Sequence, residues 1–216
     1  MQTFYMTDAG KVRTHNEDSV IIVGNKNNEF ILAVADGMGG HKAGEIASNI
    51  AIEHIVQSFE SMETIGKKEE GIDWLRKIVK EINEKIFEYT SIHPESKGMG
   101  TTLVIAIKTD DYILYGNIGD SSGYVVKNEK LHKVTKDHTL VNLLVSTGEL
   151  TPEQAKFHPR KNLLTRALGA NDPIEIDIFD VDTNVSGLFL CSDGLTNMVA
   201  DDQIEKVLNN KSSIEE

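Results

Sequence analysis

Carboxylate side chains stand at the ends of apolar runs in three separate parts of this sequence. The run FILAVA stops at Asp36, and three glycines follow within the next four positions. Glu17 and Asp18 precede the run SVIIV, and the run GLFLCS stops at Asp193. Carboxylate and carbonyl oxygens are ligands that suit Mg²⁺ or Mn²⁺ rather than zinc. If the strands bring these acids to one edge of a sheet, the sequence predicts a divalent-cation site there.

The glycine turn DGMGGH (36–41) has more than one interpretation. A dinucleotide fingerprint would need glycine or alanine where Lys42 stands, and a P-loop would need Gly-Lys-Ser/Thr. Asp36 would repel a phosphate at close range unless a cation lay between them, and glycines would let a backbone carbonyl approach that cation. A tight strand-to-helix turn with Asp36 as the helix cap is the alternative.

The elements that must position these acids follow from hydrophobic periodicity. A short polar link between the first two apolar runs predicts an antiparallel hairpin, and two long amphipathic helices follow it. The predicted strands are 19–24, 29–35, 101–108, 112–119, 123–127, 130–134, 175–181 and 187–193. The first helix begins near Lys42, and its apolar stripe consists of Ile46, Ile50, Ile55 and Phe59. The apolar stripe of the second helix consists of Ile72, Leu75, Ile78, Val79, Ile82 and Ile86. A last helix begins near Asp201. Residues 137–171 are predicted to form a surface excursion with short helices. Hairpins with two consecutive helices between them predict an α+β fold with layered sheets, and the helices should cover one sheet face.

Composition restricts the classes of protein that this chain can belong to. The formal net charge is −12, which argues against binding to nucleic acid, since that needs a basic surface. The single cysteine, Cys191, excludes a disulfide framework and favours a reducing cytoplasm. No window has the length and apolarity of a signal peptide or a membrane span. We therefore expect a cytoplasmic protein that binds neither nucleic acid nor membrane.

Seven segments resemble, in order, those of the bacterial type 2C metal-dependent Ser/Thr protein phosphatases. The segments are TDAGKVRTHNEDS, VADGMGGHKAGEIAS, GMGTTLV, GNIGDS, DHTLVNLLVSTGELTPEQA, HPRKNLLTRALG and LCSDGLTNMV. The resemblance implies a four-layer αββα sandwich of two antiparallel sheets flanked by helices, and one catalytic domain over residues 1–216. It also implies two Mn²⁺ or Mg²⁺ ions, possibly a third, phosphorylated proteins as substrates, and a Ser/Thr kinase as their source. We expect a monomer.

The resemblance also implies residue roles. Asp36 would bridge the two ions, Asp193 would bind one of them, and Glu17 and Asp18 would bind an ion or its waters. The Gly37 carbonyl would be a further ligand. Asp120 would hold the third ion.

Two more residues would act on the substrate. Arg13 would bind the phosphoryl group, since a guanidinium offers bidentate geometry, and His41 would protonate the departing Ser or Thr oxygen. Residues 138–169 resemble the family's mobile flap, which would influence the choice of substrate.

Departures from the family pattern keep other functions open. The family usually ends in a segment with Gly-x-x-Asp-Asn, whose aspartate completes one metal shell, and this sequence ends at KSSIEE (211–216) without it. Either the chain is truncated or one metal site has lost a ligand. A catalytically weakened member that binds phosphoproteins is therefore the alternative. A serine esterase is a further one, because Gly119–Gly123 matches G-x-S-x-G around Ser121, although the elbow needs a helix after the serine and a strand is predicted there.

Overall fold

The computed structural model describes residues 2–40 and 42–210, and these form an α+β fold. The strands are β1 (Asp18–Gly24), β2 (Phe30–Met38), β3 (Gly100–Thr101), β4 (Leu103–Lys108), β5 (Ile113–Ile118), β6 (Ser122–Lys127), β7 (Lys130–Lys133), β8 (Asp177–Val181) and β9 (Gly187–Cys191). The α-helices are α1 (Ala43–Glu60), α2 (Lys68–Ile92), α3 (Leu140–Ser146), α4 (Pro152–Lys156), α5 (Asp193–Thr196) and α6 (Asp201–Leu208).

The strands form two antiparallel sheets that lie face to face. The larger sheet has the order β1-β2-β4-β5-β8, with β3 paired to the end of β2, and the smaller sheet has the order β7-β6-β9. Ala106, Ile113 and Tyr115 of the larger sheet are buried with Val125 of the smaller one. The predicted layered sheets are confirmed, and the fold class implied by the resemblance is correct.

Helices α1 and α2 cover the outer face of the larger sheet, as predicted. The α2 stripe is buried from Leu75 to Ile86, because its apolar residues recur every three or four positions and face the sheet. The α1 stripe differs from the prediction at its N-terminal half. Ile46 and Ile50 are only partly buried there, and Ala47 and Ala51 make the central contact. Small side chains on this face let the start of α1 lie close to the end of β2.

The surface excursion predicted over 137–171 is present and carries two short helices. Thr139 caps α3 by accepting a hydrogen bond from the Asn142 amide, and Thr151 caps α4 through a capping box with Gln154. The two ends of the excursion pair with each other through a β-bridge between Thr139 and Leu164. Across residues 2–40 and 42–210, no helix has the length and apolarity needed to cross a bilayer.

Candidate active site

The strand ends bring four of the predicted acids to one edge of the sandwich. In the register of the first hairpin Asp18 lies directly opposite Asp36, because β1 begins where β2 ends. Asp193 follows the end of β9, and Asp120 lies in the turn between β5 and β6. The Ser192 hydroxyl donates a hydrogen bond of 2.6 Å to Asp18 Oδ2, which ties the two sheets together at this edge. We call Asp18, Asp36, Asp120 and Asp193 the carboxylate cluster.

Burial and like charge both disfavour the ionised form of two members of the carboxylate cluster. Burial, followed by the negative charges of Asp18, Asp193 and Asp120, raises the pKa of Asp36 to about 8. Burial and the charges of Asp193 and Asp137 raise the pKa of Asp120 to about 6. Half-buried like charges at a shared edge lower their free energy either by taking up protons or by binding a positive ion. The cluster therefore has the electrostatics of a cation site.

Glu17 and two glycines form a tight corner beside the cluster. Glu17 Oε1 is buried and has no hydrogen-bond partner within the described chain. The Gly37 amide donates to the Glu17 carbonyl oxygen at 3.1 Å, which holds the two segments side by side. A β-carbon on Gly44, near the start of α1, would lie 2.7 Å from Glu17 Oε1 and 2.9 Å from the Gly37 carbonyl oxygen. Glycine at 44 therefore keeps two candidate oxygen donors clear of side-chain atoms.

These donors fit Mg²⁺ or Mn²⁺, because all of them are carboxylate or carbonyl oxygens. Within the described ranges, no three His, Cys, Asp or Glu side chains have the spacing of an assembled coordination sphere. Mutual repulsion between the carboxylates favours such separation, so the fit depends on donor type, burial and charge. The unpartnered Glu17 Oε1 is the single atom that most directly requires a positive neighbour.

Thr102 fixes the backbone of Asp36, a role that sequence reasoning missed. The Asp36 amide donates to Thr102 Oγ1 at 3.0 Å, and the Thr102 amide donates to the Asp36 carbonyl at 2.9 Å. Thr102 Oγ1 in turn lies 2.7 Å from Ser121 Oγ. The two hydroxyl groups are buried together, and through Thr102 they fix the position of the Asp36 backbone in β2.

Ser121 is poorly placed to be the nucleophile of an esterase. Its side chain is completely buried, and its hydroxyl is engaged with Thr102. Strand β6 follows it directly, whereas a nucleophile elbow needs a helix at that point. The G-x-S-x-G match is therefore explained by a hairpin turn and a structural serine.

Asp193 is oriented by a neighbour that the sequence patterns did not single out. It is the first residue of the short helix α5, and Asn197, one turn later, donates from Nδ2 to Asp193 Oδ2 at 2.9 Å. Ser192, just before it, binds Asp18. The four-residue spacing between Asp193 and Asn197 could have indicated this contact if a helix had been predicted there. Helix α5 is too short to be predicted from hydrophobic periodicity.

Arg13 lies on the same cleft as three of the four acids. The cleft has a volume of about 590 Å³, runs between the sheets, and is lined by Arg13, Asp18, Asp36 and Asp193 among others. Arg13 is exposed, and no ion pair involves it in the part of the chain that the structure describes. Its guanidinium is thus available to an anion that enters the cleft. His41, the predicted proton donor, lies outside the described residues.

The antiparallel sandwich, its outer helices and an acidic cleft between the sheets define the class of metal-dependent phosphatases. Comparison with known proteins gives the same class. The sequence profile of protein phosphatase 2C matches residues 9–213. The serine/threonine phosphatase stp of Listeria monocytogenes is 43% identical over 217 residues, which cover 100% of this chain and 86% of that protein.

Solved structures agree with the sequence comparison. The crystal structure of the serine/threonine phosphatase Stp1 from Staphylococcus aureus superposes with a TM-score of 0.90 at 38% identity, covering 97% of this chain and 83% of that one. The catalytic domain of the phosphatase PstP, in complex with two manganese ions, superposes with a TM-score of 0.78 at 33% identity, covering 95% and 83%. This chain belongs to the protein phosphatase 2C family, whose members are metal-dependent Ser/Thr phosphatases.

Proposed function

We propose that this chain hydrolyses phosphoserine and phosphothreonine in proteins, by direct in-line attack of water at a site that holds two divalent cations. The observation that carries the proposal is the convergence of Asp36, Asp18, Asp193 and Asp120 at one edge of the two sheets, where burial and the neighbouring charges raise the pKa of Asp36. When bound, a pair of divalent cations would lower the pKa of a shared water and neutralise charge on the phosphoryl group. We further propose that the residues from 1 to 216 belong to one catalytic domain.

The carboxylate cluster supplies the candidate ligands. Asp36 would be a ligand of both ions, since burial and the charges of all three other acids raise its pKa. Asp193 would bind one ion, and the Gly37 carbonyl and Asp18 or Glu17 would contribute around the other. Asp120, with its own raised pKa and its position in the β5–β6 turn, would serve a third ion. Oxygen donors of this kind accept Mn²⁺ and Mg²⁺ alike.

Two cationic or protonated side chains would act on the substrate. Arg13 would bind the non-bridging phosphoryl oxygens from the mouth of the cleft, where its planar fork of N–H groups suits them. His41 would donate a proton to the departing Ser or Thr oxygen, because an imidazole near neutrality can do so. No covalent phosphoenzyme is needed. The substrates would be proteins that a Ser/Thr kinase has phosphorylated. The chain would act on them in the cytoplasm as a monomer.

The decisive experiment measures phosphate release from a phosphothreonine peptide with Mn²⁺, with Mg²⁺ and with chelator. We expect release that depends on the cation and stops with chelator. Asp36→Asn should reduce turnover about a thousandfold, since it removes several kcal/mol of metal-dependent stabilisation of the transition state. Asp73→Asn is the matched control, because Asp73 is an exposed aspartate on α2, away from the cluster.

The outcomes separate the proposed function from its alternatives. Full activity in Asp36→Asn would overturn the assignment of the bridging ligand. A folded protein that binds phosphopeptide without releasing phosphate would support the phosphoprotein-binding alternative. Ester cleavage that resists chelator and disappears in Ser121→Ala would support the esterase.

A further inference from the structure

His138 makes two hydrogen bonds to the residue that precedes Asp120. Its backbone amide donates to the Gly119 carbonyl oxygen at 2.8 Å. Its ring nitrogen Nδ1 accepts from the Gly119 amide at 3.1 Å. The side chain is only 9% exposed, so these contacts are largely shielded from water. The β5–β6 turn that carries Asp120 is therefore held by a residue at the start of the excursion 137–171.

The opposite edge of the imidazole faces Asp177 at the start of β8. His138 Nε2 lies 3.1 Å from Asp177 Oδ2, and Arg166 donates from Nη1 to Asp177 Oδ1 at 2.6 Å. Because Nδ1 accepts a hydrogen bond, the ring proton lies on Nε2 and is donated to Asp177. The 3.2 Å approach of Arg166 Nη1 to Nε2 then brings two donors together and is not a hydrogen bond. Desolvation lowers the pKa of His138, which agrees with the neutral ring that this geometry requires.

The same imidazole stands where both ends of the excursion meet. The Thr165 amide donates to the His138 carbonyl oxygen at 2.8 Å, and the Leu140 amide donates to Leu163 at 2.8 Å. Arg166 lies at the far end of the excursion, and its guanidinium also donates to the Glu175 carbonyl at 3.3 Å. Asp177 and Arg166 thus join one end of the excursion to the sheet, and His138 joins the other end to the Asp120 turn.

We propose that His138, held by Asp177, which Arg166 binds in turn, is a positioning residue that sets both the Asp120 turn and the base of the excursion 137–171. The Nδ1 side of the ring positions the turn and hence the carboxylate that would hold a further ion. The Nε2 side holds the base of the excursion closed. The claim that His138 affects binding of the further ion rests on the proposed function of Asp120. The claim that His138 holds the base of the excursion closed does not.

Two substitutions separate the two sides of the ring. In His138→Asn the amide oxygen can replace Nδ1 as the acceptor for Gly119, but the side chain is too short to reach Asp177. In His138→Gln the longer amide can donate to Asp177, but no acceptor remains for the Gly119 amide. His132→Asn is the control, since His132 is an exposed histidine on β7.

The first readout is trypsin cleavage in chelator, which requires neither metal nor turnover. Lys156, Arg160 and Lys161 are exposed in the excursion and provide the cleavage sites. The second readout is calorimetry of Mn²⁺ binding at the site of the third ion, which Asp120 would hold. We expect His138→Asn to be cleaved about tenfold faster with little change in Mn²⁺ affinity. We expect His138→Gln to bind Mn²⁺ about tenfold more weakly with little change in cleavage, since one buried hydrogen bond is lost in each case.

This crossed pattern supports the inference, and two results would overturn it. One is an unchanged cleavage rate and Mn²⁺ affinity in both variants. The other is an equal loss of both properties in both variants, which would show that His138 only stabilises the fold. A wild-type protein that binds Mn²⁺ but releases no phosphate would refute the proposed function while leaving the crossed pattern measurable.

Discussion

The Asp36→Asn substitution should stabilise the metal-free protein while it removes activity. In the folded chain the pKa of Asp36 is raised from 3.8 to about 8 by burial and by the other acids. A carboxyl whose pKa is raised on folding keeps its proton in the folded state when the unfolded chain has already lost it. The free energy of unfolding of the metal-free protein therefore falls as pH rises from about 4 to about 8.

The size of the effect follows from the pKa difference. Each unit corresponds to about 1.4 kcal/mol, so a shift of about four units sets a ceiling of about 5 kcal/mol at pH 7.5. Neighbouring acids share the repulsion and relax, which reduces the gain from one substitution to about 2 to 4 kcal/mol. For a chain of this length that is a rise in Tm of about 5 to 15 °C.

Thermal unfolding followed by circular dichroism in chelator, at pH 7.5 and at pH 4.5, measures this prediction. The gain in Tm should be large at pH 7.5 and should shrink at pH 4.5, where the wild-type carboxyl is protonated in the folded state. Asp73→Asn should show no gain at either pH. With Mn²⁺ at a thousand times Kd the order should reverse, since binding then adds about 4.1 kcal/mol to the wild type, which is as large as the upper end of the gain from the substitution. A fall in Tm for Asp36→Asn at pH 7.5 in chelator would refute the electrostatic account of the cluster.

Two further substitutions test the surroundings of the cluster. Gly44→Ala would stabilise an ordinary helix, but here it should weaken Mn²⁺ binding about tenfold or more, because the new methyl group would lie 2.7 Å from Glu17 Oε1. Calorimetry measures the affinity, and binding equal to that of the wild type would show that α1 can move away without cost. Ser121→Ala should lower the free energy of unfolding in urea titrations by about 1 to 2 kcal/mol, because Thr102 loses its hydrogen-bond partner. The variant should retain most of the Mn²⁺-dependent phosphate release. Loss of all release would show that Ser121 takes part in the reaction.

Local patterns in the sequence predicted most of the elements but not their ends. The β1–β2 hairpin and α2 could be predicted because alternation and three- or four-residue spacing are properties of neighbouring residues. β2 was predicted to end at residue 35, yet it continues to Met38. It does so because Gly37 and Met38 pair with β3, a contact between residues more than 60 positions apart. No local pattern contains that pairing.

The candidate site shows the same division. Asp36, Asp18 and Asp193 could be selected because each borders an apolar run, and strand ends can share a sheet edge. Thr102 could not, because a hydroxyl that accepts from the Asp36 amide gives no periodic signal. His138 has no local signal either, because its partners, Gly119 and Asp177, come together with it only in the folded chain.

The arrangement of the acids links catalysis to the stability of the fold. Asp18, Asp36, Asp120 and Asp193 lie on β1, β2, the β5–β6 turn and α5, so the repulsion among them acts between elements rather than within one. Gly37 on β2 and Gly44 at the start of α1 let these two elements and Glu17 lie close together beside the cluster, where a β-carbon would force them apart. A divalent cation would then remove the largest unfavourable electrostatic interaction at this edge and join the two sheets. A site built in this way gives up stability in the metal-free state, and it recovers that free energy as affinity for the ion.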